Sequence, residues 1–320
     1  NIEMVDKDIH SNKKILIYSL VFTLILFFLQ SENLGDRDNY SGIIGNIDDI
    51  LKSNNNSLRN SANYFTYITG ENLFYYLIFT LKSLNLNPSQ ILEFLSYITG
   101  FFTSYFVFRN SKNNLAIALI YLINIFTLTS SLVHIRSGLA MCLVFMTYDF
   151  PKLNKSLISR LIRFLAAGIH MGTIVYLFID YFHIAIIKIN KLFGRSAIII
   201  FALATIISSN LLFLLLVKYN FVGSVRGSFI GFSFYLFLLF LFIFTNEKER
   251  NDNYISIIIL TTYVSFYYIY PPVSRILQMG YPFIIISIIN INTSSRKLLT
   301  ILFLAGNISA LILNFKLLYV

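Results

Sequence analysis

The sequence is short of what a soluble protein is built from. Charged residues make up only 12% of the 320, while 56% are hydrophobic and the mean hydropathy is +0.70. A soluble domain carries roughly twice that share of charge, so an ordinary globular fold is excluded and almost nothing is left over for one. The single cysteine, Cys142, lies inside an apolar run. No intrachain disulfide can form, and the redox compartment cannot be read. There is no P-loop and hence no sign of ATP drive. No His/Cys cluster has zinc spacing, and no D-x-D pair signals metal-dependent handling of a nucleotide sugar, so no cofactor and no metal are expected. No soluble stretch interleaves a basic stripe with aromatics, which leaves nucleic acid without a binding surface. The ten-residue alternating segments of a transmembrane barrel are missing too.

What is present is long apolar runs. About ten or eleven of them can cross a ~30 Å hydrocarbon layer as helices. The expected fold is therefore all-α, a polytopic transmembrane bundle forming one integral-membrane domain over residues 1–320. The net charge of +10 is spread over the connections, where it suits anionic lipid headgroups.

A polar head, Asn1 to Lys14, precedes the first span, Ile15 to Leu29, and its Lys13-Lys14 pair favours a cytoplasmic N-terminus. No small-residue cleavage site follows that span, which argues against a removable signal peptide. The polar loop Ser31 to Asn72 is acidic in balance and suits the external face. Glu71 to Leu86 is apolar but short, and reads as an interfacial segment. Ile91 to Phe108 crosses and ends at the basic turn Arg109 to Lys112. Leu115 to Leu132 crosses back, bringing His134 and Arg136 to the external face, and Leu139 to Tyr148 returns. The turn Pro151 to Arg163, with Lys152, Lys155, Arg160 and Arg163, is cytoplasmic by the positive-inside rule. Phe164 to Phe182 should then climb outward, yet Lys188, Lys191 and Arg195 follow it. Either a helix here is re-entrant or the rule fails around a cationic external site. Further spans follow at Ala197 to Val217, Ser228 to Thr245, Tyr254 to Tyr270, Arg275 to Asn290 and Leu298 to Leu318.

Few residues in this chain can carry chemistry. Arg136 sits in S-L-V-H-I-R-S-G-L-A, between two apolar segments. An arginine there costs roughly 2.5 to 3.5 kcal/mol on translocon scales and needs a partner, a wet cavity or an anionic ligand. Gly35 to Tyr40, G-D-R-D-N-Y, follows the first helix and offers Asp36, Arg37 and Asp38 at a membrane edge; the blander reading is a solvated loop start. His170 falls mid-span between Gly168 and Gly172, either as a packed side chain bonded to a neighbouring helix or as a proton carrier. Arg275 follows Pro271-Pro272 and is either an interface anchor or a ligand to an anion. Arg226, in G-S-V-R-G, is a weaker candidate of the same kind. The tyrosines from Tyr263 to Tyr281 read first as an interfacial belt and second as a sugar platform.

Taken in order, G-D-R-D-N-Y, H-I-R-S-G-L-A, F-L-A-A-G-I-H-M-G and P-V-S-R-I-L-Q-M-G-Y resemble the EpsG family of Wzy-type polysaccharide polymerases over roughly Ile15 to Ile291. Ser137 stands where the family pattern often has glutamine, and Gly172 and Thr173 where it often has serine. The resemblance implies a GT-C-like, polyprenyl-phosphate-dependent glycosyltransferase of the bacterial inner membrane with its site on the external face. Its partners would be donor and acceptor oligosaccharides linked to undecaprenyl diphosphate, the surrounding lipid and a chain-length regulator. Negative charge builds on the diphosphate as the sugar leaves, so Arg136 and Arg275 suit that group, with Arg37 as a third candidate. His170 or Asp38 would take the acceptor proton. Arg226, His134, Tyr40, Asp36 and Tyr281 complete the expected substrate-binding set. A lipid-linked oligosaccharide flippase and an O-antigen ligase are the alternatives, since each needs cations inside a bundle.

Overall fold

Helix is the only regular structure among the described residues of the computed structural model, which are 2–29, 37–60, 72–111, 114–149, 157–179, 181, 184, 188, 203, 207, 229–245, 253–267, 273–291, 300–306 and 308. A bilayer leaves no other choice to open segments, because every backbone N–H and C=O must be satisfied within the chain. The polytopic all-helical class read from composition holds. Asp36 and Arg226 lie outside the described residues.

The helices fall into two compact units. The first holds Asn1–Leu177 with Leu298–Val320, and the second Phe178–Lys297. In the first unit, helix α1 (Ile2–Leu29) starts inside the expected polar head. It packs against the long helix α5 (Pro88–Asn110) and turns Leu16, Ile17, Leu20, Leu24 and Phe28 outward, an apolar face suited to lipid. Among the described residues, Asn12–Leu29 and Pro88–Asn110 are long and apolar enough to cross a membrane. Local chemistry sets the start of α5. Pro88 stands in the first turn, and Asn87 and Gln90 exchange hydrogen bonds in a capping box, 2.8 Å to the Gln90 N–H and 3.0 Å back to the Asn87 N–H.

The region expected to be an external loop contains two helices, α2 (Arg37–Gly45) and α3 (Ile47–Asn60). Tyr40, Ile44, Ile47 and Leu51 recur at spacings of four, three and four and are all buried, so the two short helices share one apolar face. The short apolar segment is helix α4 (Asn72–Lys82), 11 residues and about 16 Å long, too short to span. Lys82 at its C-terminus donates to the Gly45 carbonyl at 3.2 Å and pairs with Asp48 at 3.1 Å, tying α4 to the α2–α3 junction.

Two expected continuous spans are broken. Leu115 to Leu132 divides into α6 (Leu115–Leu122) and α7 (Ile125–Leu132), bent by 68°. At the break Asn124 accepts the Thr127 N–H at 3.0 Å and donates to the Tyr121 carbonyl, so its amide supplies the cap that straight helix would have supplied. Next, α8 (Ile135–Asp149) begins earlier than the expected Leu139, which places Arg136 in its first turn. Phe164 to Phe182 is no single span either. Helix α9 (Leu157–Ile169) stops at His170, whose backbone is extended at φ −147°, and a 3-10 turn, Met171–Ile174, follows. The Tyr176 carbonyl then accepts from Arg163 at 3.1 Å, so the chain has doubled back. His170 therefore stands at the tip of a reversal and not within one continuous helix. Arg163, expected in a cytoplasmic turn, is inside α9 and 1% exposed.

Helix α8 is the hub of the first unit, packing on α5, α7 and α9. Phe106 of α5 stacks on Phe145 of α8 at 4.4 Å between ring centres. Small polar side chains line this contact: Ser96, Thr99, Thr103 and Ser104 of α5 are buried, and the Cys142 thiol donates to the Thr99 carbonyl at 3.7 Å. Gly138 makes the approach feasible, because a Cβ there would stand 2.3 Å from the Ser130 carbonyl oxygen and 2.5 Å from Thr99.

In the second unit α10 (Phe229–Phe244) packs on α11 (Tyr254–Phe266), and α11 on α12 (Val273–Asn290). Ser256 and Ser287 share a buried hydroxyl bond of 2.7 Å. Of the run expected as an interfacial belt, Tyr263 and Tyr281 are 7% and 0% exposed and fill the interior, joined by Tyr235 of α10 at 7%; Tyr268 and Tyr270 lie outside the described residues. The Tyr235 and Tyr263 rings meet edge to face at 5.0 Å.

Gly138→Ala forces backbone apart and is expected to cost about 1 to 3 kcal/mol. Gly42→Ala meets open space in a helix and should be neutral to slightly stabilising. Thermal unfolding midpoints of the two variants in detergent check the contrast, and equal midpoints would refute the packing described for Gly138.

Candidate functional site

Arg37 is the first residue of α2 and Arg136 the second of α8. The first turn of a helix carries about half a positive charge from its exposed N–H groups, so a cation there is disfavoured by roughly 0.3 to 1 kcal/mol and an anion favoured by as much. Neither arginine is where helix electrostatics alone would put it.

Arg136 meets an aromatic pair, and Arg37 stands one turn from one of its rings along α2. The Arg136 guanidinium carbon lies 5.7 Å from the Tyr40 ring centre and 5.7 Å from that of Phe74, and these two rings meet edge to face at 5.9 Å. Tyr40 stands one turn after Arg37 on the same face of α2, and both are buried, at 5% and 4% exposure. Arg37 also lies within electrostatic range of Tyr97 on α5, which in turn feels Glu93. Three helices, α2, α4 and α8, thus bring Arg136 against two aromatic rings, with Arg37 one turn from one of them. Ring faces attract a guanidinium by about 0.5 to 2 kcal/mol.

His134 precedes α8 and is half-buried. Its carbonyl accepts the Gly138 N–H at 3.1 Å and the Ser137 hydroxyl at 2.8 Å, while its own N–H donates to the Thr129 carbonyl at 2.7 Å. These bonds fix the turn that holds Arg136. Asp38 is exposed in the first turn of α2, where its charge complements the dipole.

His170 approaches the same neighbourhood from α9. A Cβ on Gly168 would stand 2.5 Å from a Leu73 side-chain carbon, so the end of α9 presses directly on the first turn of α4, next to Phe74. The His170 backbone is tied at both groups: its N–H donates to the Ala166 carbonyl at 2.9 Å, and its carbonyl accepts the Thr173 N–H at 3.0 Å and hydroxyl at 2.9 Å. The imidazole remains half-buried. Arg275 and Tyr281 belong to the second unit, Arg275 exposed in the first turn of α12 and Tyr281 fully buried in that helix.

Phe74, Tyr97 and Arg163 were not singled out from the sequence. The signal for Arg163 was in its helix. Ser159, Arg163, Ala166 and Ala167 are buried along one face, whereas Leu157, Ile158, Leu161, Phe164 and Leu165 are exposed on the other. In a membrane the polar and small stripe faces inward, the reverse of a soluble helix. Among the described residues no group of three His, Cys, Asp or Glu side chains could hold a metal ion.

A helical bundle with apolar outer faces defines the class: a polytopic helical membrane protein. The chain belongs to the EpsG family, whose model matches residues 15–319, and it has a polymerase-like part in membrane polysaccharide biosynthesis. No curated protein and no solved structure matches it.

Inorganic diphosphate is expected to raise the thermal midpoint of the detergent-solubilised protein, and Arg136→Gln should remove most of that rise. An equal rise in the variant would show that the anion binds elsewhere.

Proposed function

We propose that this protein is a membrane glycosyltransferase that polymerises lipid-linked repeat units at the external face of the bacterial inner membrane. It moves the growing glycan from undecaprenyl diphosphate onto the non-reducing end of the next lipid-linked unit. One observation carries the reading: the Arg136 guanidinium lies over the ring of the buried Tyr40, which stands one turn from the buried Arg37 on α2.

As the anomeric C–O bond breaks, the sugar takes on oxocarbenium character and negative charge builds on the departing diphosphate. Cations already in place stabilise that charge without reorganising. Guanidinium groups grip phosphate oxygens bidentately, and N–H groups at the two helix starts add dipoles of the same sign. Tyr40 packs on Arg136, and His134 precedes that arginine by two residues. His170 accepts the proton from the attacking hydroxyl, since its backbone is fixed while its ring stays partly open. Asp38, exposed beside Arg37 in the first turn of α2, is the weaker choice for that role. Arg275 is assigned to a lipid phosphate held by the second unit.

The test is the purified protein in lipid nanodiscs with a lipid-diphosphate repeat unit, followed for ladders of longer glycan. Arg37→Ala, Arg136→Ala, Arg275→Ala and His170→Ala are each expected to lower turnover by about a hundredfold or more while remaining folded. Near-normal turnover in all four would overturn the site. Movement of the lipid-linked unit across the bilayer without chain growth would make the protein a transporter, and a single transfer to a different lipid acceptor would make it a ligase.

A further inference from the structure

We propose that Arg163 is a positioning residue, fastening the two arms of the reversal that presents His170 and so setting where the imidazole stands. The inference rests on the proton-accepting role given to His170 above.

Arg163 is the largest fully buried side chain of the described residues, at 1% exposure. Its Nε–H donates to the Thr147 hydroxyl at 3.0 Å, an Nη1–H donates to the Tyr176 carbonyl at 3.1 Å, and its guanidinium carbon lies 4.5 Å from the Tyr148 ring centre. One side chain therefore joins α9 to the C-terminal part of α8 and to the chain returning from the reversal. Unbroken helix would set residues 13 apart about 20 Å from each other, so the bond to Tyr176 exists only because the chain turns at His170.

An apolar side chain of similar volume would hold these helices together at least as well, because a buried cation costs desolvation. What the guanidinium adds is direction. Its planar fork places two donors at a fixed angle, one on a side chain of α8 and one on a backbone carbonyl beyond the turn. The tip between these fixings is short: Ala166, His170 and Thr173 close it with their own backbone bonds, and Gly168 seats it on Leu73. Loosening the base at Arg163 moves the tip, and a misplacement on the order of 1 Å at a reacting group costs about a hundredfold in rate.

The test is a double-mutant cycle with a labelling arm. Arg163→Gln should lower kcat by about a hundredfold, leave KM for the lipid-linked unit within about twofold because Arg136 and Tyr40, the proposed diphosphate contacts, are untouched, and be partly rescued in Arg163→Lys. Combined with His170→Ala it should cost no more than His170→Ala alone, since a positioned group that is absent cannot be mispositioned. Additive losses, or a loss confined to stability with normal turnover per folded molecule, would overturn the proposal. Separately, with Cys142→Ala and His170→Cys, the rate of thiol labelling at residue 170 should change several-fold when Arg163→Gln is added. That arm needs no activity, so a protein without polymerase turnover but with the labelling shift would remove the functional reading and leave the clasp standing, and unchanged labelling would remove the clasp.

Discussion

A guanidinium group cannot be left bare where water is scarce, and much of the first unit can be understood as an answer to that constraint. Arg136 rests against the rings of Tyr40 and Phe74. Arg163 is met by a hydroxyl, a carbonyl and the Tyr148 ring. Arg37 is buried one turn from Tyr40 and within range of Tyr97. Among the described contacts, Arg136 and Arg163 both lie over aromatic rings, whose faces attract a guanidinium.

The interruptions in the helices follow from the same scarcity of water. A break inside a membrane protein strands N–H and C=O groups that have no solvent to turn to. At His170 they are taken up by Ala166 and Thr173 within a few residues, and the returning chain is held by Arg163. In the second unit polarity is handled more simply, by a serine pair and by tyrosines packed edge to face between apolar helices.

The class of the protein was legible in composition, because few charges and many apolar residues have one common explanation. The importance of Arg136 was legible as well, since a cation between two greasy segments demands a reason. Elsewhere the one-dimensional pattern misled. Leu115 to Leu132 and Phe164 to Phe182 are largely apolar, and apolarity alone cannot show where a helix bends; Asn124 and His170 stand at the places. The helices α2 and α3 were hidden by their polar surface, though Tyr40, Ile44, Ile47 and Leu51 kept a helical period beneath it. Arg163 was grouped with its basic neighbours in sequence, while its burial depends on an inward stripe of small residues that only a helix face reveals. The grouping of Arg37 with Arg136 around Tyr40 needed the tertiary contact between α2 and α8 and was not readable from spacing.

The bend at Asn124 has a consequence for how substitution would be felt there. The carboxamide serves both severed ends at once, taking the N–H of Thr127 through its oxygen and giving to the Tyr121 carbonyl through its nitrogen. Aspartate keeps the first function and forfeits the second, while leucine forfeits both, so the side chain's two-faced polarity is what makes an elbow inexpensive inside oil. The angle between the half-helices is thus encoded in one residue, and the seat of Arg136, beyond the second half-helix, inherits its direction from it.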